Sequence, residues 1–378
     1  MTFWLTKNSC YQTEYAVGSS PNRTKKEDFS TSQLFSFRTF PSETSKQSWW
    51  SPRLAIFGDV STAEWRTFDQ LFKEVHQKKN VPPPVDMIFH LGDIAYDLHS
   101  EEGRVGDRFL RRLQPLAAYL PYQVCPGNHE AAQNFSHYDG RFSMVSSVED
   151  SDSEALQINN HFYSFNLGRA HFIAYSTELH FFKSFGASKI AQQFEWLEAD
   201  LAAANRPEAR VARPWIVTIG HRPMYSHFAA DYDKEGAVVR EGDGSDPKDS
   251  PFGMGFERLF LRYGVDLQLA GHIHNYERQW PVGPRSRVRN GTARGEPYFN
   301  PLGPVHLITG AAGNRRMSSS ILPRELRPPY NAVVRNEYSY TVLTVVNGSH
   351  LQVEQVDEGG ARLDEFVMRK DRPRPAWL

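Results

Sequence analysis

Residues 85–96, Val85-Asp-Met-Ile-Phe-His-Leu-Gly-Asp-Ile-Ala-Tyr96, hold an apolar run of strand length, Val85 to Leu91, that stops at the Gly92-Asp93 step. The same ending recurs along the chain. Upstream, Leu54-Ala-Ile-Phe57 stops at Gly58-Asp59. Downstream, Tyr122 to Cys125 leads into Gly127-Asn128-His129-Glu130. Trp215 to Ile219 then runs into Gly220-His221, and Val265 to Ala270 into Gly271-His272-Ile273-His274. Between these runs, Trp65, Phe68, Phe72 and Val75 recur at helical spacing, and Leu110 to Tyr119 also reads as a helix. Strand–helix–strand alternation implies a parallel sheet with right-handed crossovers. Ile190, Phe194, Leu197 and Leu201 mark a later helix, and Phe256 to Tyr263 another. Phe162–Asn166 and Ala170–Ser176 read as a hairpin, and Val305–Thr309 as a strand. Tyr340–Val346 and Leu351–Val356 flank Asn347-Gly348, a two-residue hairpin signal. Asp231 to Asp249, charged and glycine-bearing, reads as a long surface loop.

The chain has 378 residues, which suggests roughly two domains at about 150 residues each. Its net charge is −1, so a general nucleic-acid binder, which needs a cationic surplus on one face, is disfavoured. No apolar run reaches the ~18 residues of a membrane span. Cys10 and Cys125 are too few for a disulfide framework or a thiolate zinc site, and make either one bridge or two isolated thiols. The first ten residues carry no signal-peptide core. Four N-x-[ST] sequons, at Asn22, Asn134, Asn290 and Asn347, are candidate glycosylation sites and lean toward a secretory history. Residues 1–48 are rich in Ser and Thr, with strand patterns only at Tyr11–Val17 and Leu34–Phe40. They read as the remnant of a β domain or a flexible arm, and 49–378 as the main domain.

In open α/β sheets, ligands bind beyond the carboxyl ends of the strands. Five such ends here bring Asp59, Asp93, Tyr96, Asn128, His221, His272 and His274 toward one place, which is a metal inventory. Each residue alone has a plain structural role, as a helix cap, turn residue or core group. Five independent strand ends acquiring ligand types by accident is the weaker account. His272 and His274, two apart in a strand-like segment, would point to one side.

The order Gly-Asp, Gly-Asp-x-x-Tyr, Gly-Asn-His-Glu, Gly-His-Arg-Pro, Gly-His-x-His resembles the calcineurin-like metallophosphoesterases, and within them the purple acid phosphatases. Trp50–Phe57, Val105–Phe109, Arg213–Ile216, Tyr276–Arg278 and Gly303–Val305 resemble that family's animal, type 7 branch. The resemblance implies a four-layer α/β sandwich, two mixed β-sheets flanked by helices, preceded here by what is left of a fibronectin-like β domain. It implies that Asp59, Asp93, Tyr96 and His274 hold one metal, Fe(3+). Asp93 would bridge to a second, divalent ion (Zn, Fe or Mn), held also by Asn128, His221 and His272. Hard oxygen donors suit the trivalent ion, and an amide with two neutral imidazoles suits the divalent one. Three protein anions against +5 leave +2, and a bridging hydroxide leaves +1, a residual charge that favours a phosphate dianion.

The implied activity is acid hydrolysis of phosphomonoesters by a metal-bound hydroxide. His129 would serve the leaving oxygen, Glu130 would tune His129 by a hydrogen bond, and Asn128 and His129 would contact substrate. His227 is either a further phosphate-binding residue or a surface histidine. No nucleic acid or membrane partner is implied, and family members of this kind are secreted or lysosomal. Alternatives are a phosphodiesterase of the same superfamily and a non-catalytic truncated isoform. The chain departs from the family in Ser61, where the first motif carries Gly, and a Cβ there would crowd the turn if φ is positive.

Overall fold

The computed structural model describes residues 2–7, 12–19, 30–41, 50–76, 85–145, 159–228, 231–291, 295–314 and 321–371. Asn22 and Cys10 lie outside them. Three strands, β1 (Arg53–Phe57), β2 (Met87–His90) and β3 (Tyr122–Val124), pair in parallel in the order β1-β2-β3. A second, seven-stranded sheet contains β4 (Tyr163–Leu167), β5 (Ala170–Ala174), β6 (Trp215–Ile219), β7 (Leu267–Ala270), β8 (Tyr276–Gln279), β9 (Val305–Thr309) and β10 (Asn331–Arg335), in the order β4-β5-β6-β7-β9-β8-β10. There β5, β6, β7 and β9 are mutually parallel, while β4, β8 and β10 run antiparallel to their neighbours. Strands β11 (Ser339–Val345), β12 (His350–Asp357) and β13 (Arg362–Arg369) form a meander that joins the first sheet beside β1.

Strands covered on both faces must be apolar along their whole length. β1 from Leu54, β2, β6, β7 and β9 are buried throughout. Helices α1 (Arg66–His76) and α2 (Arg104–Ala117) cover the outer face of the first sheet, with Phe68 and Phe109 packed around Trp65 and Phe57. Helix α4 (Lys183–Ala204) and the short α7 (Glu257–Arg262) cover the second, through Leu197, Leu201, Phe256 and Phe260 against Ile173, Tyr175 and Ile216. Phe89 faces Phe165 between the sheets, so four layers result. The short helices α3 (Ser136–Arg141) and α5 (Pro207–Ala212) lie in connections.

Two expectations are corrected. Residues 231–241 are helix α6 (Asp231–Glu241), not loop. Its Gly236 is a contact residue: a Cβ there would stand 2.7 Å from the Met224 carbonyl oxygen, so glycine lets α6 lie against that backbone. The N-terminal stretch pairs more fully than two strands, since Thr2–Lys7, Gln12–Ser19, Ser30–Thr31 and Phe35–Arg38 form one antiparallel sheet. It docks on the end of α2 through Tyr15, whose hydroxyl donates to the Ala118 carbonyl at 2.8 Å, and through Phe35 against Tyr119.

Within the second sheet His306 is buried and neutral, its Nδ1 3.1 Å from Gln268 Oε1. Burial, with the nearby Arg240 charge, brings it down to about 3. The unfolded chain therefore takes up a proton near pH 6.5 that the fold refuses until about pH 3, so stability held above pH 6.5 falls as pH drops through that window. In His306→Gln, the dependence of unfolding free energy on pH between 6.5 and 4 should be shallower by about one proton. Equal slopes for the two proteins would refute this.

Candidate metal centre

The carboxyl ends of β1, β2, β3, β6 and β7 meet where the two sheets adjoin. The Gly58 amide donates to the Thr309 carbonyl at 2.9 Å, tying β1 to β9 across the sheets, and the Asp59 amide donates to Gly92 at 3.2 Å. Gly92 has φ 79°, and a Cβ on it would lie 2.5 Å from the Gly127 nitrogen, so the second and third loops interlock only with glycine there. Non-glycine φ values are positive at Asp59 (64°), Asp93 (53°), Tyr96 (48°) and His272 (69°). Four of the seven candidate ligands thus hold backbone strain of the kind that clusters at functional sites.

The structure brings all seven together. Tyr96 Oη is 2.9 Å from His274 Nε2 and donates to Asp59 Oδ1 at 3.3 Å. His274 Nε2 is 3.5 Å from Asp59 Oδ1. On the other side, His221 Nε2 is 3.1 Å from Asn128 Oδ1, 3.2 Å from His272 Nδ1 and 3.3 Å from Asp93 Oδ1. His272 and His274 do not share a side. The left-handed turn at His272 breaks the strand alternation, so one imidazole joins His221 and the other joins Tyr96.

Asp59 and Asp93 are buried, and no described Lys or Arg forms an ion pair with either. Their charges and burial shape the neighbours. Burial, then the charges of Asp59 and Asp93, push the Tyr96 phenol far up, so its phenolate needs a cation beside it. Burial disfavours the Asp93 carboxylate, but His221, His129 and His272 outweigh it and hold the group below its usual range. His221 donates from Nδ1 to the Leu91 carbonyl at 2.6 Å, which leaves the Nε2 lone pair facing the cluster. Two buried carboxylates, a phenol, an amide and facing imidazole nitrogens suit metal ions.

His129 stands at the rim. Its amide donates to Asp93 Oδ1 at 3.1 Å, its ring packs edge-on against Tyr96 with centroids 4.5 Å apart, and Nδ1 meets Asp97 Oδ1 at 3.0 Å. The expected tuning of His129 by Glu130 is corrected. Glu130 accepts from the amides of Asp93, Ile94 and Gly127, each at 2.8 Å, and clips the second loop to the third. Burial and the Asp93 charge raise Glu130 to about 8, against the Gly127 and Ile94 amides and the His221 charge, which favour its carboxylate. His227 is not a surface histidine. It is fully buried, with Nδ1 2.6 Å from Glu277 Oε1, and hydrogen-bonds to none of the seven. Ser61 has no positive φ, and its Oγ accepts from Ala63 and Glu64 at 3.3 Å, so it supports the turn. Asn134, Asn290 and Asn347 are exposed.

Sequence reasoning missed three neighbours: Asp97, Asn314 and Glu235. Asn314 Nδ2 lies 2.9 Å from His274 Nε2, and Glu235 Oε2 lies 2.9 Å from His272 Nε2. Burial raises the Glu235 carboxyl, but the His272 hydrogen bond and Arg222 charge prevail and bring it to about 2. Asp97, next to Tyr96, had a signal in its adjacency; Asn314 and Glu235 had none.

A family model described as calcineurin-like phosphoesterase matches residues 52–276, and one described as iron/zinc purple acid phosphatase-like protein C matches 303–365. Acid phosphatase type 7 of Danio rerio is 42% identical over 352 residues, covering 92% of this chain and 74% of its own length. Acid phosphatase type 7 of Homo sapiens is 44% identical over 327 residues, covering 85% and 68%. The purple acid phosphatase PPD1 from yellow lupin (Lupinus luteus) seeds shares the fold at TM-score 0.67 and 20% identity, over 95% of this chain and 60% of that one.

The Glu130 clip makes a test. Glu130→Gln retains an acceptor but presents an amide donor to a backbone donor, so a buried N–H loses its partner at a cost of about 1–3 kcal/mol. Its melting temperature and metal retention should fall, while kcat on alkyl and aryl phosphates falls in equal proportion. A loss confined to alkyl phosphates would restore the link between Glu130 and His129.

Proposed function

The chain belongs to the calcineurin-like phosphoesterases and, within them, to the purple acid phosphatases, and from that premise we propose that it hydrolyses phosphomonoesters at acid pH on a binuclear metal centre. The observation that carries this reading is the meeting of seven ligand-type side chains from five strand ends, two of them buried carboxylates with no Lys or Arg partner among the described residues. We assign Asp59, Tyr96 and His274, with Asp93, to Fe(3+), because the set is rich in hard oxygen donors. Asn128, His221 and His272, sharing Asp93, would hold a divalent zinc, iron or manganese ion. Held by these residues, a pair of ions would supply charge for a phosphate dianion and Lewis acidity for a nucleophile at low pH.

The chain's own residues do the rest. The Glu130 clip and the left-handed turns at Asp59 and Asp93 fix the two carboxylates before substrate arrives. His129 is held between the Tyr96 ring and Asp97, which takes its Nδ1. With Nδ1 taken by Asp97, Nε2 is the ring nitrogen that would serve the leaving oxygen, giving up its proton from the doubly protonated ring. Asn128, with its carbonyl oxygen toward His221, keeps its amide N–H groups for the ester.

Two outcomes test this. The purified, metal-loaded protein should be coloured by phenolate-to-Fe(3+) charge transfer. Tyr96→Phe should lose the visible band and weaken iron retention, and a variant that keeps both would remove Tyr96 from the ligands. His129→Ala should keep both metals and the band. Its kcat should fall by about 10²–10⁴ on glycerol phosphate but far less on p-nitrophenyl phosphate, whose leaving group hardly needs a proton. Asp97→Asn should show a smaller loss of the same kind. Equal losses on both esters would refute a leaving-group role.

A further inference from the structure

His272 Nε2 faces two groups at once. Glu235 Oε2 on α6 lies 2.9 Å away, and Arg222 Nη1 lies 3.2 Å away. Arg222 also donates from Nη1 to the same Glu235 oxygen at 2.6 Å. A guanidinium only donates and a carboxylate only accepts. Were Nε2 bare, it would accept from Arg222 Nη1 but its lone pair would confront the nearer Glu235 oxygen at 2.9 Å. With a proton on Nε2, the imidazole and the guanidinium both donate to Glu235 Oε2, the shorter two of the three contacts. The proton on Nε2 leaves the lone pair on Nδ1, which faces His221 Nε2 at 3.2 Å.

The anchoring of this contact is unusually complete. Arg222 is buried, and its Nε donates to both oxygens of buried Glu178 at 3.0 and 3.1 Å. Its amide donates to Thr177 Oγ1 at 3.0 Å, and its guanidinium lies 4.1 Å over the Phe181 ring. Helix α6 is pressed on the Met224 backbone through Gly236, one residue beyond Glu235, and Arg240 donates to the Met224 carbonyl. Met224 follows His221 on the same loop, so the helix that carries Glu235 and the loop that carries His221 are one packed unit.

We propose that Glu235, locked by Arg222, is a positioning residue that fixes His272 in its Nε2–H tautomer and so makes Nδ1 the donor to the second, divalent ion. This rests on the metal reading above. Outer carboxylate partners of ligating histidines typically contribute 10–100-fold in metal affinity. The test is competition of Zn(2+) against a chromophoric chelator, with the protein carrying Fe(3+) in its first site. Glu235→Ala should bind the second ion about 10–100-fold more weakly while the visible band stays. Glu235→Gln, whose carbonyl still accepts from Nε2–H, should recover much of the loss. In the metal-free protein, ¹⁵N shifts of the His272 ring should report Nε2–H for the parent and mixed tautomers for Glu235→Ala. Unchanged Zn(2+) affinity and unchanged tautomer in Glu235→Ala would overturn the proposal. His272→Ala separates the layers: if it too keeps the second ion at full affinity, the ligand assignment beneath is wrong, whereas if it loses the ion and Glu235→Ala keeps it, only the role of Glu235 falls.

Discussion

Two buried carboxylates that face imidazoles, with no Lys or Arg partner among the described residues, dictate the architecture around Asp59 and Asp93. Burying an anion costs several kcal/mol unless it is paired and hydrogen-bonded. The same chain shows what it does with a buried carboxylate that serves only the fold. Asp266 accepts from Lys370 Nζ at 2.9 Å, has Arg210 within 3.7 Å, and accepts the Ile216 amide. That cluster ties the end of β13 to the start of β6, across the two sheets. Glu277, also buried, is surrounded by His227, Asn275, Gln279 and Asn331. Asp59 and Asp93 instead receive single backbone donors, from His272 and His129, and otherwise face imidazoles and a phenol. Among the described residues their balancing charge comes only from imidazoles, and a bound cation would supply more.

That constraint explains the strain nearby. An extended strand end would splay its side chain away from the junction of the sheets. The left-handed turns at Asp59, Asp93 and His272 redirect each side chain inward two or three residues beyond the strand. Glycine before each of the three, together with the Glu130 clip on the amides of Asp93, Ile94 and Gly127, holds that redirection in place. Stability of the rest of the fold, from the Phe57–Phe68–Phe109 packing to the Asp266 cluster, sustains conformations that no single loop would keep alone.

Strands β1, β2, β3, β6 and β7 were legible because each is a short apolar run closed by glycine and a polar ligand type, a pattern readable without tertiary knowledge. β10 and β13 were not. Both are edge strands with one side exposed, and Arg362-Leu-Asp-Glu-Phe-Val-Met-Arg369 carries charge on the positions that face solvent. Helix α6 was hidden by Gly236 and by its run of charges, since glycine that permits close packing cannot be told from glycine that breaks a helix. The seven candidate ligands were legible by residue type at strand ends, whereas their second neighbours were not. Glu235 reaches His272 only because α6 folds back over the His221 loop, and Asn314 reaches His274 from the segment after β9. Glu130 shows the opposite limit: its adjacency to His129 suggested a contact, but a 3₁₀ turn points consecutive side chains apart, and the carboxylate turned to the backbone.

An enzyme working in acid meets a difficulty that this fold concentrates near its centre. His90, three residues before Asp93, is held by burial to about 3, as His306 is, so protons drawn to imidazoles favour the unfolded chain. Protonation of Asp59 and Asp93 would weaken the site from the other side. A cation bound by those carboxylates competes with protons for the same lone pairs. By mass action it also stabilises the folded chain by an amount that grows with occupancy. Its charge would further oppose protonation of the imidazoles around it, and His221, His272 and His274 would stay neutral as ligands. The groups that would make the centre reactive at low pH would therefore also keep the fold intact there, and acid tolerance would be a property of the loaded centre more than of the hydrophobic core.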